Sequence, residues 1–153
     1  MEPAIASLHY LAMMGVTACL GAEFFLCNDH LQPGHVRLLA RIDFGYIASA
    51  ALVFLTGLAA VLMVGRGPLA TLSQPAFWAK LAAFIALAVV SIAPTSRYSR
   101  WARAIAAGEE RILTGREIAS TRRLIGVELA LLASLPVLAA LGVEGAVDDH
   151  ADG

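Results

Sequence analysis

The sequence predicts an all-α fold: an integral membrane four-helix antiparallel bundle with an amphipathic interfacial segment between the third and fourth spans. Three observations carry that expectation. Four apolar stretches each approach the ~20 residues that a helix needs to cross the hydrocarbon core. Hydrophobic residues make up 59% of the 153 and charged residues only 15%, with a mean hydropathy of +0.73, too apolar for a soluble domain of this length. The basic residues also segregate to alternate connections, as they do between spans of alternating direction.

The first span is expected over about residues 4–27. Val16-Thr17-Ala18-Cys19 resembles a lipoprotein cleavage box, but no Lys or Arg precedes Arg37, so a basic leader region is missing and a true span is expected. Cys19 and Cys27 lie on one helix, roughly 12 Å apart at the usual rise, too far for a disulfide. Loop one, 28–40, holds Pro33, Gly34, His30 and His35. The second span is expected over 42–64, ending at the turn signal Gly65-Arg66-Gly67-Pro68. The third, 76–96, contains Pro94 near its end. A long polar connection follows, with Trp101 and Ile105 on one side and arginines on the other, the pattern of a segment lying against anionic lipid. The fourth span is expected over 124–143, kinked at Pro136, and the acidic tail 144–153 is expected to be disordered. Spans and tail make one transmembrane domain, 1–143, plus that tail.

The charge count sets the orientation. Of 11 Lys and Arg, seven lie in the third connection, and Arg37 and Arg41 lie on the same side, against Arg66 and Lys80 opposite. Loops one and three are therefore expected to be cytoplasmic, in a bacterial inner membrane with both termini outside. The partners implied are the lipid bilayer and either a second copy or a larger membrane complex. Glu109, Glu110 and Glu117 interleave the arginines, too mixed in sign for a nucleic-acid surface.

Ionisable residues inside spans are expensive and mark candidate sites. At 100° per residue, His9, Met13, Val16, Leu20 and Glu23 share one face of the first span; Lys80, Phe84, Leu87, Ser91 and Pro94 share one face of the third. Two polar layers follow. The outer layer holds His9, Lys80 and Met63. The inner layer holds Glu23, Arg41, Asp43, Tyr46 and Glu128, with Arg122 and Arg123 at its rim. Glu23 and Glu128 are expected to pair with Arg41 or Arg122; the alternative is a proton or substrate path. His9 has three readings: an interhelical hydrogen bond, a ligand to haem iron (haem b), or a proton shuttle. A pair of intramembrane histidines within one chain is excluded, because His9 alone of the four histidines falls in a span. Met63, an open sixth position or a second copy's His9 could complete the iron. Copper on His9 with Met13 or Met14 lacks a supporting methionine run. Lys80 either snorkels to the interface or holds an anion such as a carboxylate or porphyrin propionate.

Several motifs together resemble a known group: Leu8-His9-Tyr10-Leu11-Ala12, Gly21-Ala22-Glu23, Arg41-Ile42-Asp43-Phe44-Gly45-Tyr46, Phe77-Trp78-Ala79-Lys80-Leu81, Ser91-Ile92-Ala93-Pro94-Thr95 and Glu128-Leu129-Ala130-Leu131. In this order and spacing they resemble the bacterial membrane proteins of the domain of unknown function 2214 family, which implies four spans and no activity. The first-span histidine and third-span lysine are also distantly similar to the membrane-bound oxygen-independent protoporphyrinogen oxidase family and, more loosely, to copper-resistance D-type membrane proteins. That likeness implies His9 as an iron ligand and Lys80 as a porphyrin-side or proton-handling, catalytic group. Three functions follow as expectations: a small haem-binding or redox-handling protein with an outer-side His9/Lys80 site, a non-catalytic accessory or assembly subunit, or a small proton-linked transporter using Glu23 and Glu128.

Overall fold

The computed structural model describes residues 2–28, 30–63, 68–108 and 114–148, the last helix in side-chain detail as far as Val137. Four long helices and one short one make up the described chain: α1 Glu2–Leu26, α2 Pro33–Met63, α3 Pro68–Leu72, α4 Pro75–Ala106 and α5 Gly115–Asp148. Among the described residues there is no strand. Prolines open α2, α3 and α4, where the fixed φ suits the first turn and the missing N–H would have had no partner anyway. α4 stops where Gly108 takes φ +74, a left-handed conformation that glycine adopts without a Cβ clash; the N–H groups of Ala107 and Gly108 close on the carbonyls of Arg103 and Ile105.

The helices form a ring in which α1 touches α2 and α5, and α4 touches α2 and α5; among the described residues the backbones of the diagonal pairs stay apart. Residue pairing gives the directions. Gly15 faces Ser49, Cys19 faces Gly45 and His9 lies over Gly57, so α2 runs down as α1 runs up. Asp43 reaches Thr95 and Phe54 stacks on Phe84 at 6.2 Å, so α4 runs opposite to α2. A short connection turns α4 back into α5. The result is the up-down-up-down arrangement of an antiparallel bundle.

Each long helix buries a stripe spaced by three and four residues: Ala12, Val16, Leu20, Glu23 and Cys27 on α1; Val36, Leu39, Asp43 and Tyr46 on α2; Leu87, Pro94, Tyr98, Trp101 and Ala104 on α4; Ile118, Thr121, Ile125 and Glu128 on α5. That spacing is the seam of helices packed nearly antiparallel. The outer faces carry large exposed apolar residues, among them Phe25, Phe44, Leu55, Val89 and Ile92, as side chains turned to lipid do. Among the described residues three helices are long and apolar enough to cross a membrane: Pro3–Leu26, Gly34–Met63 and Pro75–Ala106. α5 carries the fourth apolar stretch, and Pro94 and Pro136 both lie inside helices rather than at their ends.

Three boundaries differ from expectation, each because helix outlasts hydropathy. Loop one, expected over 28–40, is helical from Pro33; Val36 and Leu39 are fully buried and extend the inward stripe past Arg37 and Arg41. The amphipathic segment after Ser96 is the last three turns of α4 and not a separate element, and its apolar side is covered by protein, since Tyr98 and Trp101 are both 0% exposed. Arg97 ties these turns to α5, its Nη1 donating to Ser120 Oγ at 2.7 Å and Thr121 Oγ1 at 2.8 Å. α5 in turn runs on to Asp148, into the segment expected as a disordered tail; residues 149–153 lie outside the described residues, as do Arg66 and the segment 109–113.

Candidate functional site: a buried carboxylate layer and a histidine above it

The inner layer comes together. α1 delivers Glu23, α2 delivers Asp43 and Tyr46, and α5 delivers Glu128, each as the next member of its helix's inward stripe. α4 adds Thr95, whose hydroxyl donates to Asp43 Oδ1 at 2.7 Å, and Ser91, which faces the Tyr46 hydroxyl. Coulombic contact links Glu23 with Asp43 and Glu128, and Glu128 with Asp43. Three carboxyl groups from three helices therefore share one interior region, two residues inside Arg41 on α2 and two before Arg97 on α4.

The expected ion pairs are not made. Arg41 is exposed and points away from the layer. Arg122 is exposed too, and its guanidinium lies 4.7 Å over the Phe24 ring. Among the described residues no lysine or arginine comes within 4.0 Å of Glu23, Asp43 or Glu128. The reason is rotational: Arg41 and Arg122 sit two and six positions from Asp43 and Glu128, on other faces of their helices, so a long side chain meets solvent or headgroups before it meets the core.

The layer is also short of partners. Glu23 and Glu128 are each 1% exposed and each leaves Oε1 without a hydrogen bond; the Tyr98 hydroxyl and the Trp101 indole N–H, equally buried, are unpartnered as well. The Tyr98 hydroxyl approaches Glu23 without reaching hydrogen-bond geometry. Two acceptors and two donors left open in one bundle interior form a set that ordered water or a transferring proton can complete. Among the described residues no group of three or more His, Cys, Asp or Glu has metal-binding geometry.

The outer layer is looser. His9 is half-buried, and its Nδ1 lies 2.8 Å from Thr56 Oγ1. The Thr56 hydroxyl is also within hydrogen-bond distance of the Leu52 carbonyl, at 2.6 Å, and which ring nitrogen of His9 carries the hydrogen depends on its tautomer. Met63, 65% exposed, lies seven residues beyond Thr56, roughly 10 Å along the helix. Lys80 is half-buried on α4, diagonally across the ring from α1. The structure therefore brings His9 to Thr56, and does not bring it to Met63 or Lys80. Among the described residues no hydrogen bond or ring contact joins His9 to Met63 or Lys80.

Thr95, Tyr98 and Trp101 complete this interior and were placed in neither layer from the sequence, although the face Leu87, Ser91, Pro94 continues in step through Tyr98 and Trp101. Thr56 lies seven residues beyond Ser49 and shares its face of α2. Cys19 and Cys27 are both free thiols.

No curated protein and no solved structure matches the chain. Residues 1–146 match the family described as predicted membrane protein (DUF2214), and with that match over nearly its whole length the chain belongs to that family.

Proposed function

We propose that this membrane protein handles protons within the bilayer, taking them up and passing them through the Glu23, Asp43 and Glu128 layer. The observation that carries the reading is the pair of buried glutamates, each 1% exposed, each with an open Oε1 and neither with a cation in reach. A carboxyl group so placed exchanges a proton with its neighbours or with entering water more readily than it holds a fixed counter-ion, and carboxylates inside spans commonly line proton relays. Tyr46, Ser91 and Ser49 carry hydroxyls from this layer toward Thr56 and His9, whose imidazole is the natural outer terminus of such a relay. The reading places four spans in a bacterial inner membrane, arginine-rich end inside and termini outside.

The test is proton flux into proteoliposomes under an imposed potential, followed with an enclosed pH dye. Wild type is expected to conduct above empty vesicles, and Glu23→Gln and Glu128→Gln each to lower flux at least tenfold while keeping helical content. Wild-type flux equal to that of empty vesicles, or undiminished flux in both variants, sinks the reading.

A second reading keeps His9 as a single haem-iron ligand. Its support is position: His9 is half-buried within the first span, and its Nδ1 lies 2.8 Å from Thr56 Oγ1, the kind of second hydrogen bond that orients ligating histidines. The sixth position would then be open or filled by His9 of a second copy, with Lys80 available to a propionate. Reduced-minus-oxidised absorption of protein expressed with ample haem decides it. A Soret band that shifts on reduction and disappears in His9→Ala is the expected result on this reading; a colourless wild type removes it.

A further inference from the structure

Between the end of α1 and the first turns of α5 lies a groove of about 380 Å³. Phe24, Cys27, Ile118, Ala119 and Gly126 give it an apolar floor and wall, and Arg122 and Arg123 stand at its rim. Both arginines are exposed, and among the described residues neither donates a hydrogen bond to the chain. Arg122 is nevertheless held in place, stacked 4.7 Å over Phe24. A guanidinium held over an aromatic ring by cation–π attraction spends no N–H group on that contact, so its donors stay available to an anion. Among the described residues no acid lines the groove; Cys27 is turned inward, with its Sγ toward the Ile118 carbonyl, and the Asn28 side chain is occupied by the loop, bonding the Phe25 carbonyl and the His30 N–H.

We propose that this groove is a binding site for an anionic phospholipid, with the headgroup phosphate on Arg122 and Arg123 and one acyl chain along Phe24 and Gly126. Three features choose that occupant. Among the described residues the charged side chains of the lining are both positive. The floor is apolar and faces outward from the ring, where lipid lies. The arginines sit at the boundary between the apolar stretch of α5 and its arginine-rich first turns, which is headgroup depth. Basic pockets between spans on the cytoplasmic side recognise acidic headgroups in this way. Bound lipid would clasp α5 to α1, where the two helices meet least extensively.

The experiment titrates the full-length protein in mild detergent with phosphatidylglycerol or phosphatidylcholine and reads bound lipid by native mass spectrometry. One phosphatidylglycerol per chain is expected, with phosphatidylcholine at least tenfold weaker. Arg122→Gln and Arg123→Gln should each weaken binding about fivefold, and together about 30-fold, near the value of one screened charge apiece. Ala119→Leu fills the groove wall without changing charge, and its exposed position spares the fold; it should weaken binding too. Arg116→Gln, an exposed arginine on the same helix outside the groove, should leave binding unchanged. Equal affinity for the two lipids overturns the site. So does an Arg116→Gln loss as large as that of Arg122→Gln, or an Ala119→Leu variant that binds like wild type, since either outcome means diffuse surface attraction. Displacement of the lipid by millimolar inorganic phosphate would mean a site for free phosphate and not for lipid.

Discussion

His9 and Thr56 define the outer end of the interior by one short hydrogen bond, 2.8 Å long. Interhelical hydrogen bonds in membranes contribute about 0.6 kcal/mol on average, because a partly unfolded chain in lipid finds other partners. Thr56→Val keeps the shape and removes the hydroxyl, so it should lower stability by about that amount in unfolding by sodium dodecyl sulfate from mixed micelles. In a double-mutant cycle with His9→Ala the two losses should be less than additive, the sign of a direct pair. Strict additivity would mean that Thr56 serves the Leu52 carbonyl alone. The glutamates behave differently from this pair. A buried acceptor without a partner is costly, on the order of 1–3 kcal/mol, and two of them side by side with two open donors mark a region that structure alone does not require. Residue identity was readable from the sequence in part: Glu23, Asp43, Tyr46 and Glu128 were placed with Arg41 in one inner layer, and all but Arg41 are buried. Their partners were not readable. Whether an arginine reaches a glutamate depends on the rotation of each helix about its own axis, and Arg41 and Arg122 end up outside.

The helices pack through small residues. A Cβ on Gly15 would stand 2.7 Å from Ser49 Oγ and 3.3 Å from Ser49 Cβ, so α1 and α2 approach there as closely as a glycine allows. Gly15→Ala should therefore destabilise by about 1–3 kcal/mol, as overpacking does. Adding Ser49→Ala should recover part of the loss, because the nearer of the two clashing atoms is gone; a double variant no better than Gly15→Ala would place the strain in the backbone. Element ends were the least legible feature in the sequence. Hydropathy falls at Arg37 and at Arg97, but helix continues through both because backbone hydrogen bonds do not need an apolar side chain, only a stripe to bury, and Val36, Leu39, Tyr98 and Trp101 supply it. Arg97 even works inside the bundle, holding α4 to α5 through Ser120 and Thr121.

For the molecule as a whole, the described arginines gather at one end. Arg37 and Arg41 lie near the start of α2, Arg97, Arg100 and Arg103 near the end of α4, and Arg116, Arg122 and Arg123 near the start of α5. In an up-down-up-down ring these are the same end, and the positive-inside tendency predicts that it faces the cytoplasm. With Cys19 and Cys27 replaced by alanine, Gln74→Cys should react with a membrane-impermeant maleimide in intact spheroplasts, and Ala107→Cys only after permeabilisation. The reverse pattern would invert the topology and move the carboxylate layer to the outer side.

The sequence by itself determined the class of molecule, the order of the four long helices, and the inward position of Glu23, Asp43, Tyr46 and Glu128. Those properties follow from local periodicity and from the expense of charge in hydrocarbon, and both can be read one helix at a time. The tertiary structure alone decided who meets whom. His9 and Lys80, near the same end of their helices, fall on opposite corners of the ring; Glu23 and Glu128, far apart in the chain, fall into one interior without a counter-ion. Helix rotation and neighbour choice are set by side chains packing across several interfaces at once, and no single stretch of sequence contains that information.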